Sequence, residues 1–172
     1  MYILFVCSGN TCRSVLAKYL LLNKIPTGLK KWLMVESAGI SVTEVGALAS
    51  QGAREVLAER GINASDHKAQ KLTAEMMKDA DLILTMTREQ LSLVEEMSGE
   101  EGGKACLFSE FVNNLKEIDL GKETFTAEGW PGQGEEISDP YGGDIEAYRK
   151  VRDKIDRLVQ ILVEKVSTKD MD

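Results

Sequence analysis

Cysteine, histidine and proline are all scarce in this sequence. Its 172 residues include three cysteines, three prolines and one histidine. An odd, small number of cysteines argues against a disulfide framework and favours a reducing compartment, so we expect a cytoplasmic protein. The same scarcity leaves few metal ligands. The four residues between Cys7 and Cys12 are a wide gap for a zinc knuckle, and only Cys106 and His67 remain to complete one.

Long apolar runs are missing as well. No run is long enough to span a bilayer, and the apolar segment at the N-terminus is short, with no basic region before it, so we expect neither a membrane span nor a signal peptide. The net charge of −7 argues against nucleic acid as a partner and is compatible with basic protein or peptide substrates. We expect one domain over residues 1–172, as a monomer or weak dimer, with neither nucleic acid nor membrane as partner.

The segment from Cys7 to Ser14, with the sequence CSGNTCRS, carries the chemistry. It follows the apolar run Tyr2–Val6, which predicts a buried strand, and from Arg13 onward apolar residues at helical spacing predict a helix that ends near Pro26. The loop therefore leads into a helix N-terminus, where successive backbone N–H groups can converge on an anion. Such a loop can bind a phosphoryl group and favour the thiolate form of Cys7.

Two side chains complete this predicted phosphate site. Arg13 can fold back and hold two phosphoryl oxygens with its planar guanidinium, and Ser14 can donate a hydrogen bond to the Cys7 sulfur. A thiol at the end of a strand is by itself more often an inert core residue, and the loop lacks the Gly-Lys-Ser/Thr ending of a nucleotide-binding P-loop. The combination favours a cysteine nucleophile for phosphoryl transfer. The remaining loop residues are then phosphate ligands: Ser8, Gly9, Asn10, Thr11 and Cys12.

The rest of the chain alternates predicted strands and helices. This order implies parallel pairing in an α/β, three-layer sandwich, in which ligands bind beyond the carboxyl ends of the strands. Residues 109–138 are acidic and broken by glycine and proline, and we predict a surface excursion there, with one helical turn around Phe111–Leu115. Further strands are predicted at 33–37, 81–86 and 104–108, and further helices at about 46–60, after a Thr73 cap, after a capping box of Thr87 and Gln90, and at about 144–166.

Asp139 is the best candidate for a general acid and base. One carboxyl can protonate a leaving group and later activate the water that clears a phosphocysteine. Pro140 restricts Asp139 to an extended conformation and so fixes the direction of its carboxylate, and Tyr141 is positioned to line the mouth of the pocket. An ordinary Asp-Pro turn with a packed tyrosine is the alternative.

Together these segments resemble the two halves of the active site of the low-molecular-weight protein tyrosine phosphatases. The resemblance covers nearly the whole chain, including Ser37-Ala38-Gly39. It implies a flavodoxin-like fold with a four-stranded parallel sheet and no metal or other cofactor. It also implies that Cys7 is the nucleophile, that Arg13 binds phosphate and that Asp139 is the acid and base. Asn10 resembles a loop asparagine that the family ties to a serine and a histidine, here Ser37 and His67.

The substrate is where this family branches. Thr11 stands where tyrosine-directed members typically have an apolar residue, and it resembles the bacterial protein-arginine phosphatases, as do Asp139–Gly143, Ile145, Tyr148 and Arg152. The resemblance favours phosphoarginine in proteins, with Thr11 and Tyr141 as specificity residues, and leaves phosphotyrosine as the alternative.

Other functions fit the sequence less well. A thiol-dependent arsenate reductase shares the fold and the loop but needs two further cysteines after the third strand, and Leu82–Gln90 contains none. A phosphate-binding module without catalysis does not need Cys7, Arg13 and Asp139 together. Cys12 is positioned to form a reversible disulfide with Cys7 under peroxide, as in the family, or else packs beneath the loop.

Overall fold

A four-stranded parallel sheet forms the centre of the computed structural model, which describes residues 1–115, 118–119 and 134–167. The strand order is β2-β1-β3-β4, and β1 pairs with both β2 and β3. The strands are β1 (Tyr2–Cys7), β2 (Met34–Gly39), β3 (Leu82–Thr85) and β4 (Ala105–Leu107). The predicted α/β class and parallel sheet are confirmed.

Six α-helices cover the two faces of the sheet in the described part of the chain. They are α1 (Arg13–Lys24), α2 (Gln51–Ala58), α3 (Ala74–Asp79), α4 (Arg88–Ser98), α5 (Phe108–Asn114) and α6 (Ile145–Lys165). Short 3-10 turns lie at Lys30–Trp32 and Gly99–Lys104, and a small parallel pair joins β5 (Ile118–Asp119) to β6 (Val166–Ser167). Within these described ranges, no helix is both long and apolar enough to cross a membrane.

Strand β1 contributes side chains to the hydrophobic cores on both faces of the sheet, and the sheet with a helical layer on each face makes three layers. The side chains of β1 alternate in direction, so Ile3 and Phe5 face a core with α1, α2, α5 and α6, whereas Leu4 and Val6 face a second core with α3 and α4. The chain moves from β1 to β2 on one side and later to β3 on the other. The topological switch point therefore lies at the carboxyl end of β1, where Cys7 is.

The second helix starts later than its sequence predicts. Gly46 has a φ of +84°, and its N–H donates to the carbonyl of Ala69, while the Ala69 N–H donates to the carbonyl of Ala47. These bonds hold the segment before Ser50 in a non-helical path. Ser50 then caps α2, its hydroxyl accepting from the Ala53 N–H.

The predicted capping box at α4 is only half formed. The Thr87 hydroxyl accepts from the Gln90 N–H, as a cap should. The Gln90 side chain, however, does not return to the Thr87 N–H. Its carbonyl oxygen accepts from the Met86 N–H, and its amide nitrogen donates to Ser8 in the loop after β1.

The two ends of the predicted surface excursion at 109–138 are packed inside the protein. Phe111 and Val112 in α5 are completely buried, and Ile137 is buried beside the carboxyl end of β3, where its N–H donates to the Met86 carbonyl. The periodicity of 108–114 is that of a short buried helix, which the neighbouring glycines and acidic residues obscure. Most of the intervening stretch, residues 116–117 and 120–133, lies outside the described residues.

Candidate active site

The loop from Cys7 to Ser14 lies at the carboxyl end of the sheet and leads directly into α1. Gly39, the last residue of β2, allows this loop to pack closely against the end of that strand. A Cβ atom on Gly39 would lie 2.7 Å from the Ser8 carbonyl oxygen and 2.9 Å from the Asn10 nitrogen. Any larger residue there would push the loop away, which explains why glycine ends the Ser-Ala-Gly segment.

Asn10 is the centre of a buried hydrogen-bond network. The Gln70 N–H can only donate, so the end of the Asn10 amide that lies 2.9 Å from it is the oxygen, Oδ1. The other end, Nδ2, donates to the hydroxyls of Ser14 and Ser37, each at 2.9 Å. Asn10 is completely buried and has a φ of +53°, a left-handed conformation that asparagine tolerates better than most residues. The loop conformation is thus held from beneath.

This network determines the direction of the Ser14 hydroxyl. Because its oxygen accepts from Asn10, its proton is available for the Cys7 sulfur, which lies 3.0 Å away. A hydrogen bond donated to sulfur favours the thiolate over the thiol. The predicted Ser14–Cys7 contact is therefore present with a donor direction that suits a nucleophile.

His67 holds the backbone of the same loop. Its Nε2 lies 2.7 Å from the Asn10 carbonyl oxygen, and because a carbonyl can only accept, Nε2 carries the proton. Burial lowers the pKa of His67, with Lys18 acting in the same direction, so the ring is neutral near pH 7. The structure thus brings Asn10, Ser37 and His67 together as the resemblance implies.

Arg13 connects the loop to the predicted acid. Its Nη2 lies 2.6 Å from Asp139 Oδ2, and its Nη1 donates to the Ile137 carbonyl at 3.1 Å. The side chain is buried, and its Nε has no hydrogen-bond partner among the described residues. A buried, unpaired guanidinium N–H is costly, and a phosphoryl oxygen in the loop is a suitable acceptor for it.

Asp139 is oriented by its own turn. Its Oδ1 accepts from the Tyr141 N–H at 3.1 Å, the geometry of an Asx turn, while its Oδ2 faces Arg13. The side chain is 46% exposed, so it reaches both water and the loop. Tyr141 itself is 78% exposed and stands at the mouth of the site, as predicted.

A cleft of about 420 Å³ joins these groups. The segment after β2 forms its second wall, and this wall is tied to the loop because the N–H groups of Ile40 and Ser41 donate to the carbonyls of Cys7 and Ser8. In the described part of the chain, no group of three or more His, Cys, Asp or Glu side chains is suited to hold a metal ion. The cleft is lined by Cys7, Ser8, Gly9, Thr11, Cys12, Arg13, Ser41, Thr43, Glu44, Ala47, Asp139 and Tyr141.

Cys12 differs from Cys7 in its surroundings. Both thiols are free and buried, but of the two sulfur atoms the Ser14 hydroxyl contacts only that of Cys7. For Cys12, burial, reinforced by the nearby Cys7, raises the pKa well above the ordinary value. Cys12 is therefore a neutral thiol at neutral pH. Cys106 is also free and buried, in β4, and its pKa is raised by burial too.

Four residues support the site through partners that are distant in the sequence. Gln70 fixes the Asn10 amide, Gln90 contacts Ser8, Ile137 accepts from Arg13, and Gly39 admits the loop. Their partners lie 29 to 124 residues away along the chain, as for Ile137 at 124. Gln90 is predicted from the sequence only as a helix-capping residue and Gly39 only as part of the Ser37-Ala38-Gly39 segment, so neither contact with the phosphate loop is predicted.

Comparison with known proteins agrees with this geometry. The sequence matches the family described as low molecular weight phosphotyrosine protein phosphatase over residues 2–124. A protein-arginine-phosphatase of Geobacillus stearothermophilus is 37% identical over 166 residues, covering 96% of each chain. The structure is similar to the YwlE arginine phosphatase from the same organism, with a TM-score of 0.78 and 36% identity, over 95% of this chain and 91% of that one. It is similar to the low molecular weight protein tyrosine phosphatase from T. tengcongensis, with a TM-score of 0.76 and 36% identity, over 96% of this chain and 99% of that one.

The fold and the cysteine–arginine loop are those of a cysteine-dependent protein phosphatase. The chain belongs to the low-molecular-weight phosphotyrosine protein phosphatase family, as the sequence resemblance implies. Relatives with arginine and with tyrosine phosphatase names match it to a similar degree, so its substrate has to be argued from the cleft.

Proposed function

We propose that this enzyme hydrolyses phosphoarginine in proteins through a phosphocysteine formed at Cys7. The observation that carries the substrate choice is the set of hydrogen-bond acceptors that line the cleft. Its walls offer hydroxyls and carboxylates, from Thr11, Thr43, Glu44 and Asp139. Tyr141, the one aromatic side chain among the described residues that line the cleft, is mostly exposed. Guanidinium groups need hydrogen-bond acceptors, whereas a tyrosine ring needs apolar walls.

In the first step, Cys7 Sγ attacks phosphorus and the bond from phosphorus to the guanidino nitrogen breaks. The loop N–H groups and Arg13 stabilise the negative charge on the phosphoryl oxygens. Asp139, in its protonated form, delivers a proton to the departing nitrogen. Protonation of Asp139 also weakens its ion pair with Arg13, which frees Nη2 to join the unpaired Nε on the phosphoryl group.

In the second step, Asp139, now a carboxylate, takes a proton from a water molecule that attacks the phosphocysteine. Inorganic phosphate leaves, and the Cys7 thiolate is restored. The Ser14 hydroxyl, 3.0 Å from the sulfur, stabilises the thiolate as leaving group. Thr11 contributes a hydroxyl beside the phosphoryl group, which can accept from the guanidinium and orient the water.

We also propose that Cys12 protects Cys7 by forming a disulfide with it under peroxide. Both thiols line the same cleft. The three free cysteines support a reducing compartment, and we propose a cytoplasmic enzyme with one catalytic domain.

The substrate proposal is tested by replacing the specificity residue. We expect the wild type to have a higher kcat/KM on a phosphoarginine-bearing protein than on a phosphotyrosine peptide. Thr11→Ile removes the hydroxyl and adds apolar surface, so we expect it to shift this ratio towards phosphotyrosine by about tenfold or more. Steady-state kinetics on both substrates measure the ratio.

Thr27→Ile is the matched control, because Thr27 lies in an exposed turn before β2, outside the cleft. It should leave the substrate ratio unchanged. A phosphotyrosine preference in both the wild type and Thr11→Ile would contradict the phosphoarginine proposal and make this chain a tyrosine phosphatase.

A further inference from the structure

Gln90 is a buried polar side chain that contacts the phosphate loop from outside it. It lies in the first turn of α4 and is 4% exposed. Its Oε1 accepts from the Met86 N–H at 3.1 Å, and its Nε2 donates to the Ser8 hydroxyl at 3.0 Å. The contact joins residues 82 positions apart in the sequence. Burying an amide costs little free energy when both of its ends are hydrogen-bonded. The two hydrogen bonds then fix the orientation of the side chain.

The orientation of the Gln90 amide follows from chemistry alone. A backbone N–H can only donate, so the atom that faces Met86 has to be the carbonyl oxygen. The other end is therefore the NH₂ group, which also can only donate. Ser8 Oγ must accept from it, and the Ser8 proton has to point elsewhere.

The direction left to that proton is the cleft. Ser8 is partly exposed and lines the cleft together with Cys7 and Arg13. Among the described residues, the Ser8 hydroxyl has no acceptor for its proton within hydrogen-bonding distance. A hydroxyl whose oxygen is already held by a donor is a ready donor to an anion.

The same arrangement occurs on the opposite side of the nucleophile. There the Gln70 N–H fixes the Asn10 amide, and Asn10 donates to Ser14, whose proton is left for Cys7. Here the Met86 N–H fixes the Gln90 amide, and Gln90 donates to Ser8. Both series of hydrogen bonds run from a backbone N–H through a side-chain amide to a serine hydroxyl. The first serves the sulfur, and the second has the phosphoryl group as its natural target.

We propose that Ser8 donates a hydrogen bond through its side chain to a phosphoryl oxygen of the substrate, and that Gln90 is the positioning residue that directs this hydroxyl into the cleft. The proposal rests on the proposed function, because it takes the cleft to hold a phosphoryl group. It adds a side-chain donor to the backbone N–H groups and Arg13, and makes the first turn of α4 part of the phosphate site.

The test is a double-mutant cycle on phosphate affinity. Ser8→Ala and Gln90→Leu should each raise the dissociation constant of inorganic phosphate about tenfold, since each removes the same directed hydrogen bond to an anion. The double variant should be no weaker than either single variant. Ser8→Thr keeps the hydroxyl and should bind nearly as the wild type does. Isothermal titration calorimetry measures the dissociation constant, and kcat/KM on para-nitrophenyl phosphate should fall in parallel.

If Gln90 only stabilised the fold, its replacement would lower stability without acting through Ser8. A control variant shows that a loss of stability alone does not change phosphate affinity. Thr73→Ala removes the cap of α3 away from the cleft, so it should lower stability while leaving phosphate affinity unchanged. Additive losses in the double variant, or unchanged phosphate affinity in Ser8→Ala, would overturn the proposal.

A second substitution covers the case in which Gln90→Leu does not fold. Gln90→Glu keeps an acceptor for the Met86 N–H but removes the donor, so the Ser8 hydroxyl turns away from the cleft to donate to the new carboxylate. Its effect on phosphate affinity should shrink in the Ser8→Ala background, where only charge repulsion remains; an equal effect in both backgrounds would refute the role of Gln90. Phosphate titration does not need turnover. Wild-type protein that binds phosphate but hydrolyses no phosphorylated substrate would contradict the proposed function and leave this result standing.

Discussion

At the scale of single residues, the two buried cysteines of the phosphate loop differ in the groups around their sulfur atoms. Cys7 faces the cleft and receives a hydrogen bond from Ser14, whereas the pKa of the buried Cys12 thiol is raised. Because the Ser14 hydroxyl donates to the Cys7 sulfur and Cys12 is a neutral thiol, we expect peroxide to oxidise Cys7 first, to a sulfenic acid. The Cys12 sulfur can then displace water from this group and form a disulfide, which a thiol reductant reverses.

This division of roles predicts how the enzyme responds to peroxide. Wild-type enzyme that has been inactivated by hydrogen peroxide should recover most of its activity with dithiothreitol. Cys12→Ser should be inactivated at least as fast and recover little, because its sulfenic acid is oxidised further. Recovery is measured as activity on para-nitrophenyl phosphate. Cys106→Ser, in β4 and outside the cleft, is the control and should recover like the wild type. Equal recovery in Cys12→Ser would mean that Cys12 only packs beneath the loop.

Residue-level prediction from the sequence succeeds where a motif is continuous. Cys7, Arg13 and Ser14 lie within eight residues, and their geometry agrees with the roles that the spacing suggests. Asp139 is far away in the sequence, and the Asp-Pro turn singles it out as a candidate that the family resemblance then supports. The supporting role of His67 follows from the resemblance alone. Gln70 belongs to no motif, and Gln90 is predicted only as part of a helix capping box. Their contacts with the phosphate loop depend on how separate elements pack, so the sequence alone does not predict those contacts.

At the scale of elements, the segment between α2 and α3 supports the phosphate loop. It has no regular structure, yet His67 and Gln70 both bind Asn10, and Leu72 donates from its N–H to the Gly39 carbonyl. The polar sequence of this segment predicts a loop, but it does not predict that the loop contacts Asn10 and Gly39. The segment is fixed by hydrogen bonds to the loop and to the end of β2, and those are tertiary contacts.

His67 makes this support sensitive to pH. Burial lowers its pKa, so as pH falls below the unfolded value of about 6.5 the unfolded chain binds a proton there more readily than the folded chain. The free energy of unfolding should therefore fall as pH falls through this window and rise as pH increases. The slope from this residue has a limit of about 1.4 kcal/mol per pH unit.

The pH effect is measured by urea unfolding between pH 5 and 7, in steps, for the wild type and His67→Gln. Glutamine can still donate to the Asn10 carbonyl but does not titrate. The variant should lose part of the slope, whereas contributions from carboxylates cancel in the comparison. Identical slopes in the two proteins would show that His67 has the same pKa in the folded and unfolded chains.

At the scale of the whole molecule, the strand order explains why one loop carries the chemistry. The sheet extends from β1 in both directions, so the cleft at the loop after β1 has two walls. The segment after β2 forms one wall, and Ile137–Asp139, bonded to Met86 at the end of β3, forms the other. The alternation of strands and helices predicts this class of fold from the sequence. The packing of α5 and Ile137 was missed, because glycines and acidic residues around them indicate surface.

The central claim is that the phosphoryl group is transferred to Cys7, and trapping that intermediate tests it most directly. Asp139→Asn lacks the base for the second step, and para-nitrophenyl phosphate has a leaving group that departs without a proton from Asp139. Phosphocysteine should therefore accumulate when the variant is mixed with para-nitrophenyl phosphate and quenched rapidly. Mass spectrometry should find the phosphoryl group on the peptide that contains Cys7, and Cys7→Ala should carry none. A phosphoryl group on another residue, or phosphate release from Cys7→Ala at the wild-type rate, would contradict the account.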